Sequence, residues 1–345
     1  METTQETLLP PVQKLSFSQW LRVNLFSSWL NSLLTIGCGL LLVWVGWGAL
    51  RWLGQAQWAV VTENIRLFLV GRYPVNQVWR MGAVLAVVLG MTGFWGVLQN
   101  VTHPTRKKRL QWVFYAALPV SVCLIAYWVN GGWGLRLVRT SLWGGLFLTL
   151  FVAAISVLLA FPFSILLAIG RQSQLPILRW LCTGYIELVR GLPLIGILFM
   201  AQVMLPLVVP TGLRMDRLVR AIAGLTLFNA AYLAENVRAG LQAIPRGQTE
   251  AAKALGLNPL QTLSLIILPQ ALRMVTPALV GQFISLFKDT SLLSLFALFE
   301  LTGISRSILS QPQFLGRNAE VYLFIGLIYW LICFSMSRFS QRLEK

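Results

Sequence analysis

Five stretches of this chain, 23–50, 81–105, 110–135, 140–170 and 191–213, each run for more than twenty residues without one Asp, Glu, Lys or Arg. A helix of about 20 apolar residues crosses the ~30 Å hydrocarbon core of a bilayer, because it satisfies its own backbone N–H and C=O groups there. Three shorter uncharged runs, 221–234, 274–287 and 321–337, become long enough once their flanks are included. The pattern predicts an all-α integral membrane protein with eight spans near 26–50, 81–99, 110–129, 143–169, 186–209, 217–236, 272–296 and 320–338. Composition excludes a soluble alternative: 57% of the residues are hydrophobic and 11% charged, with a mean hydropathy of +0.70, more apolar surface than a soluble core can absorb.

The net charge of +17 invites a nucleic-acid reading. It fails, because the basic residues are scattered between apolar segments and do not gather on one soluble face. Cys38, Cys123, Cys182 and Cys333 are too far apart for a C-x-x-C pair, so neither a disulfide framework nor a zinc site is implied. The first apolar run is too long for a signal peptide, and Met1 to Lys14 carries Glu2 and Glu6 where a basic region would precede one, so no cleavage is expected. Lys and Arg are more numerous on the side that would hold both termini, above all in the run Arg106, Lys107, Lys108 and Arg109. That bias places both termini in the cytoplasm and the basic run against anionic membrane lipid.

Between Glu235 and Arg273 the chain keeps helix-forming composition but carries charges, Asn and Pro at intervals, which predicts a cytoplasmic element. Gln248–Leu255 is rich in strong helix formers, and Gly256 follows where a left-handed residue ends a helix. Asn258 then suits an N-cap and Pro259 the first helical position, so a second short helix is expected from Pro259 toward Pro269. The result is a knob with small residues at Ala251, Ala252 and Ala254 and apolar anchors at Leu255, Leu257 and Leu260, either a docking surface or a solvated linker.

Glu250, Ala251, Ala252, Gly256, Ile266, Leu268 and Pro269 stand at the spacing E-A-A-x(3)-G-x(9)-I-x-L-P, which resembles the signature of permease subunits of bacterial ABC importers. Pro269–Arg273 resembles the P-Q-A-x-R of the polar-amino-acid branch, as do Glu187–Gly191 with Pro193, Ala231–Glu235 with Arg238 and Gly240, and Lys288–Leu292. The likeness covers about residues 140–340. The longer format and the G-R-Y-P string at Gly71–Pro74 look like the general L-amino-acid subtype. The resemblance implies an N-terminal extension of three spans over 1–139 and a five-helix type I ABC importer core over 140–345, with a coupling loop at 236–271. It implies that Glu250, Ala251, Ala252, Gly256, Leu257 and Pro259 meet a separate ATPase subunit. The other implied partners are a second permease subunit, as homodimer or heterodimer, and an extracytoplasmic amino-acid-binding protein. No cofactor is implied in this chain, ATP and magnesium belonging to the ATPase. The sequence agrees, since without a Gly-Lys dipeptide it has no Walker A loop.

Ionisable groups inside spans usually face a bundle interior or a cavity. Lys288 and Asp289 fall ~22 Å along a helix from Arg273, and either brace helices or, with Thr290 and Ser291, line a path for a zwitterion. Asn229 and Tyr232 share a helix face and offer uncharged hydrogen bonds. Glu187 with Arg190, and Glu235 with Arg238, are each three apart and can pair on one face as gating or bracing groups. Catalysis is excluded. His103, the only histidine, and Ser305 are expected on opposite sides, and Asp216 and Asp289, the only two Asp, lack the context of an intramembrane protease. The rival function is an ATP-independent channel or secondary transporter, which has no need of an ATPase-docking knob.

Overall fold

A computed structural model describes residues 16–132, 134–210 and 215–343. Lys14, Glu2, Glu6, Arg214 and Lys345, which entered the topology argument or flank it, lie outside the described residues. The chain forms two compact units, 1–57 and 58–345. In the first, α1 (Phe17–Asn24) precedes α2 (Trp29–Gln55), whose Ser28 N-cap accepts from the Asn31 N–H at 3.2 Å. The second unit spans 58–345, on both sides of residue 139.

That second unit opens with two short helices, α3 (Ala59–Thr62) and α4 (Ile65–Val70), then α5 (Trp79–Asn100) and α6 (Pro104–Asn130). The G-R-Y-P string joins these to the core. Gly71 has φ +61°, and a Cβ there would stand 2.5 Å from the Cα of Gly144, so only glycine lets the two backbones meet. Arg72 donates to Ser307 at 3.0 Å and lies over the Phe299 ring, and the Tyr73 hydroxyl donates to the Val129 carbonyl at 2.8 Å. Buried Arg80 donates to the carbonyl of Arg136, which closes the end of α6.

The core begins with α7 (Gly145–Arg171). Next come α8 (Pro176–Gly191) and α9 (Leu194–Phe199), a π turn at Met200–Met204 and α10 (Leu205–Val208). Here the structure departs from the sequence reading of one straight span at 186–209: α8 and the helix after it meet at 105°. Pro193 removes a helical N–H and drives Leu192 into extended backbone (φ −102°, ψ 143°), as the residue before a proline requires. The described residues thus contain seven helices long and apolar enough to span a membrane, or eight if this bent pair is one span.

Central to the unit is α11 (Arg217–Ala243), N-capped by Asp216, which also accepts from Thr140 at 2.6 Å. Small residues let neighbours approach it: Ala221, Ala230, Ala231 and Ala234 are fully buried, and a Cβ on Gly240 would meet the Ala271 carbonyl at 2.7 Å. Close packing of this kind replaces the hydrophobic drive that is absent between helices in lipid. After α12 (Arg246–Ala254), α13 (Pro259–Gln261) passes through a π turn at Thr262–Ile267 into α14 (Leu268–Asp289). The expected helix end near Pro269 is absent, because the wider π turn accommodates the missing N–H of Pro269.

From Asp289 the chain continues as a 3-10 turn to Phe296, and Ala297 turns it with left-handed backbone (φ +55°). The Phe299 carbonyl accepts from the Gly145 N–H at 2.8 Å. Helices α15 (Leu301–Leu309) and α16 (Asn318–Leu343) complete the fold. Fully buried Glu300 caps α15, accepting from the N–H groups of Thr302 at 2.8 Å and Gly303 at 2.9 Å and from the Tyr329 hydroxyl of α16 at 3.3 Å. Burial pushes its carboxyl up to about 7, although the N–H donors pull the other way.

Candidate functional site

The loop at 244–261 folds as its punctuation predicts. Helix α12 ends in a Schellman motif: the Leu257 N–H donates to the Ala252 carbonyl at 3.1 Å and the Gly256 N–H to the Lys253 carbonyl at 2.9 Å, with Gly256 left-handed at φ +79°. Asn258 and Gln261 then form a reciprocal cap, with side-chain oxygens accepting from each other's N–H at 2.8 and 3.1 Å. Pro259 takes the first helical position. Ala252 is buried, whereas Glu250, Ala251, Gly256 and Pro259 are exposed and Leu257 is half-buried. Leu255 and Leu260 are 81% and 73% exposed, so the knob presents leucines to whatever lies beyond it. Gln270 donates to Gln248 at 3.3 Å, fastening α12 to the base of α14.

Where α7, α8 and α11 meet, five charged side chains converge. Arg171, the last residue of α7, donates to Glu235 at 3.0 Å and to Glu187 at 2.7 Å. Arg238 clasps Glu235 through its Nε at 2.9 Å and through Nη2. Arg190 stands 4.0 Å from Glu235 and lies over the Tyr232 ring. The expected Glu235–Arg238 pair is present, but the expected Glu187–Arg190 pair is replaced. Glu187 turns to Arg171, because a helix-ending guanidinium on α7 offers a shorter contact than its own helix does. Arg171 was not singled out from the sequence; its signal was its position as the first charge after the long uncharged run 140–170. Glu235 thus faces three arginines, and three helices share one ionic junction.

The polar groups at membrane depth separate. Asn229 is fully buried, donates to the Leu225 carbonyl and accepts from Gln282 of α14 at 2.8 Å. These contacts join α11 to α14 at Asn229. Tyr232 packs on Phe228 and donates to the Arg190 carbonyl at 3.4 Å. Lys288 is exposed and Asp289 half-buried at the end of α14, and neither makes an ion pair among the described residues. Thr290 is buried and donates to the Phe287 carbonyl at 2.6 Å, while Ser291 is half-buried. The described residues hold no group of three or more His, Cys, Asp or Glu able to take a metal ion.

Residues 160–345 match the family model of the binding-protein-dependent transport system inner membrane component. The chain belongs to this family. It is a multi-pass inner-membrane permease component with the type I importer fold. Over 94% of its length, and 92% of the relative's, it is 44% identical to the inner membrane amino-acid ABC transporter permease protein YhdY of Escherichia coli (strain K12). It is 35% identical over 97% of its length, and 94% of the relative's, to the glutamate/glutamine/aspartate/asparagine transport system permease protein BztC of Rhodobacter capsulatus. Among solved structures it is similar to a chain of an amino acid ABC transporter described with histidines, at 28% identity and a TM-score of 0.52, over 58% of this chain and 91% of that one.

Proposed function

We propose that this chain forms the translocation pathway of an ATP-driven importer of amino acids and is itself non-catalytic. The observation that carries the reading is the Gly256 knob, a rigidly capped helix pair with two exposed leucines, fused to α11 and α14. An ATPase subunit, which holds ATP and magnesium, docks on Glu250, Ala251, Ala252, Gly256, Leu257 and Pro259. Its closure moves the knob as a rigid body, and the ionic junction of Arg171, Glu187, Arg190, Glu235 and Arg238 carries that movement to α7 and α8. A second permease subunit completes the pathway, and an extracytoplasmic binding protein delivers substrate. The names of the relatives, which specify amino acids, support the substrate class.

Both termini and the knob face the cytoplasm. Cysteines placed at Lys108 and Gln248 are therefore shielded from an impermeant thiol reagent in intact cells, and one at Gln57 reacts; labelling of position 248 from outside defeats the arrangement.

Tyr232, Lys288, Asp289, Thr290 and Ser291 line the path in part. Opposite charges at the end of α14, without ion-pair partners among the described residues, suit a zwitterion, which brings both an ammonium and a carboxylate. Asp289→Asn then leaves complex yield near wild type and changes the relative uptake of an acidic, a neutral and a basic amino acid. A uniform fall in all three that tracks the yield of complex shows bracing alone.

A further inference from the structure

An apolar groove of about 720 Å³ runs between α5 and α6 and ends at Phe339 of α16. Its α6 wall extends from Phe114 to Ile125, ~16 Å along the helix, which is about one leaflet of a ~30 Å core. Helical spacing continues its lining toward cations. Lys107 and Lys108 lie seven residues before Phe114 and Tyr115, hence on the same helical stripe, and Arg342 lies three residues beyond Phe339 on the same face of α16. Neither α5 nor α6 contains an Asp or Glu. Trp95 lines the groove, and its buried indole N–H finds no acceptor among the described residues.

We propose that this groove is a specific site for an anionic phospholipid, an acyl chain filling the channel and the phosphate resting among Lys107, Lys108 and Arg342. Basic pockets between membrane helices bind such headgroups. Two other occupants fit less well. The apolar helix α2 carries Arg51 and no acidic residue, so it brings no charge to neutralise the three cations. A second copy meeting this face symmetrically sets the same cations against themselves. The inference uses the orientation proposed above only to name the leaflet, the cytoplasmic one.

Native mass spectrometry of the delipidated complex, titrated with phosphatidylglycerol, cardiolipin or phosphatidylcholine, tests it without reference to orientation. The expected result is retention of the two anionic lipids and at least tenfold weaker retention in Lys107→Gln/Lys108→Gln/Arg342→Gln. Equal retention of phosphatidylcholine, or unchanged retention by the variant, overturns the site. A photo-crosslinking residue at Leu118, in the otherwise native chain, keeps the question open to refutation should the triple variant fail to fold. Adducts enriched in the anionic phospholipids relative to phosphatidylcholine support the proposal; adducts without that enrichment, or to residues 29–55 or a second copy, overturn it. Cysteine labelling is unaffected by either outcome, so failure of the lipid site and failure of the orientation are told apart.

Discussion

Gly256→Val reduces uptake more than tenfold while the permease still reaches the membrane. Gly256 sits at φ +79°, where an L-residue costs about 1–2 kcal/mol and a β-branched one is a pronounced outlier. A Cβ there meets nothing within 4 Å, so the damage comes from the backbone and not from a clash. The chain relieves it by leaving the left-handed region, which breaks the bonds to the Ala252 and Lys253 carbonyls and swings α12 away from α13. Helix α11 and its neighbours keep their packing, so the fold survives and the knob is lost. A graded series checks the cause: Gly256→Asn, which tolerates left-handed backbone, retains more uptake than Gly256→Ala, and Gly256→Val retains least. Uptake and ATP hydrolysis measured together in reconstituted vesicles give the answer, and full transport by Gly256→Val removes the knob from the coupling path.

The second large effect falls on Glu235. Glu235→Gln leaves Arg171, Arg190 and Arg238 facing one another with only Glu187 to balance them. Hydrogen bonds to charged groups contribute about 1.5–3 kcal/mol each, and the Glu235 side chain is only 22% exposed, so solvent screens little of the repulsion. The expected loss is on the order of 3 kcal/mol, seen as a lower thermal midpoint of the purified permease and earlier proteolysis of the segment joining α7 to α8. Pairing it with Arg171→Gln restores part of the loss, because the removed cation is one that the removed carboxylate balanced. If the double variant is no more stable than Glu235→Gln alone, the junction is not a coupled network.

The helices and the knob were legible because each depends on residues near one another in sequence. An uncharged run announces a span, and Leu-Gly-Leu-Asn-Pro at 255–259 announces a capped helix pair, whatever the rest of the chain does. The bend at Pro193 was legible too, in Gly191-Leu192-Pro193, but hydropathy averaged over a window passes across it. The π turn before Pro269 left no mark, since an extra residue in a helical turn changes hydrogen bonding without changing composition. The junction was half legible: Glu235 and Arg238 are three residues apart, whereas Arg171 meets Glu187 and Glu235 across 16 and 64 residues, and only packing of α7 on α8 and α11 unites them. The contact of Asn229 was hidden for the same reason, its partner Gln282 lying 53 residues away on α14. The capping role of Glu300 was hidden because it depends on α15, a helix too short to show in a hydropathy pattern.

The central claim is that the knob at 246–260 receives an ATPase. Its direct test is capture of purified ATPase subunit by the permease in detergent, with Leu255→Glu beside the wild type. Leu255 is 81% exposed, so this change leaves the fold and thermal midpoint near wild type. The account predicts stoichiometric capture by the wild-type chain and at least tenfold weaker capture by the variant; equal capture by both places the ATPase contact elsewhere and contradicts it.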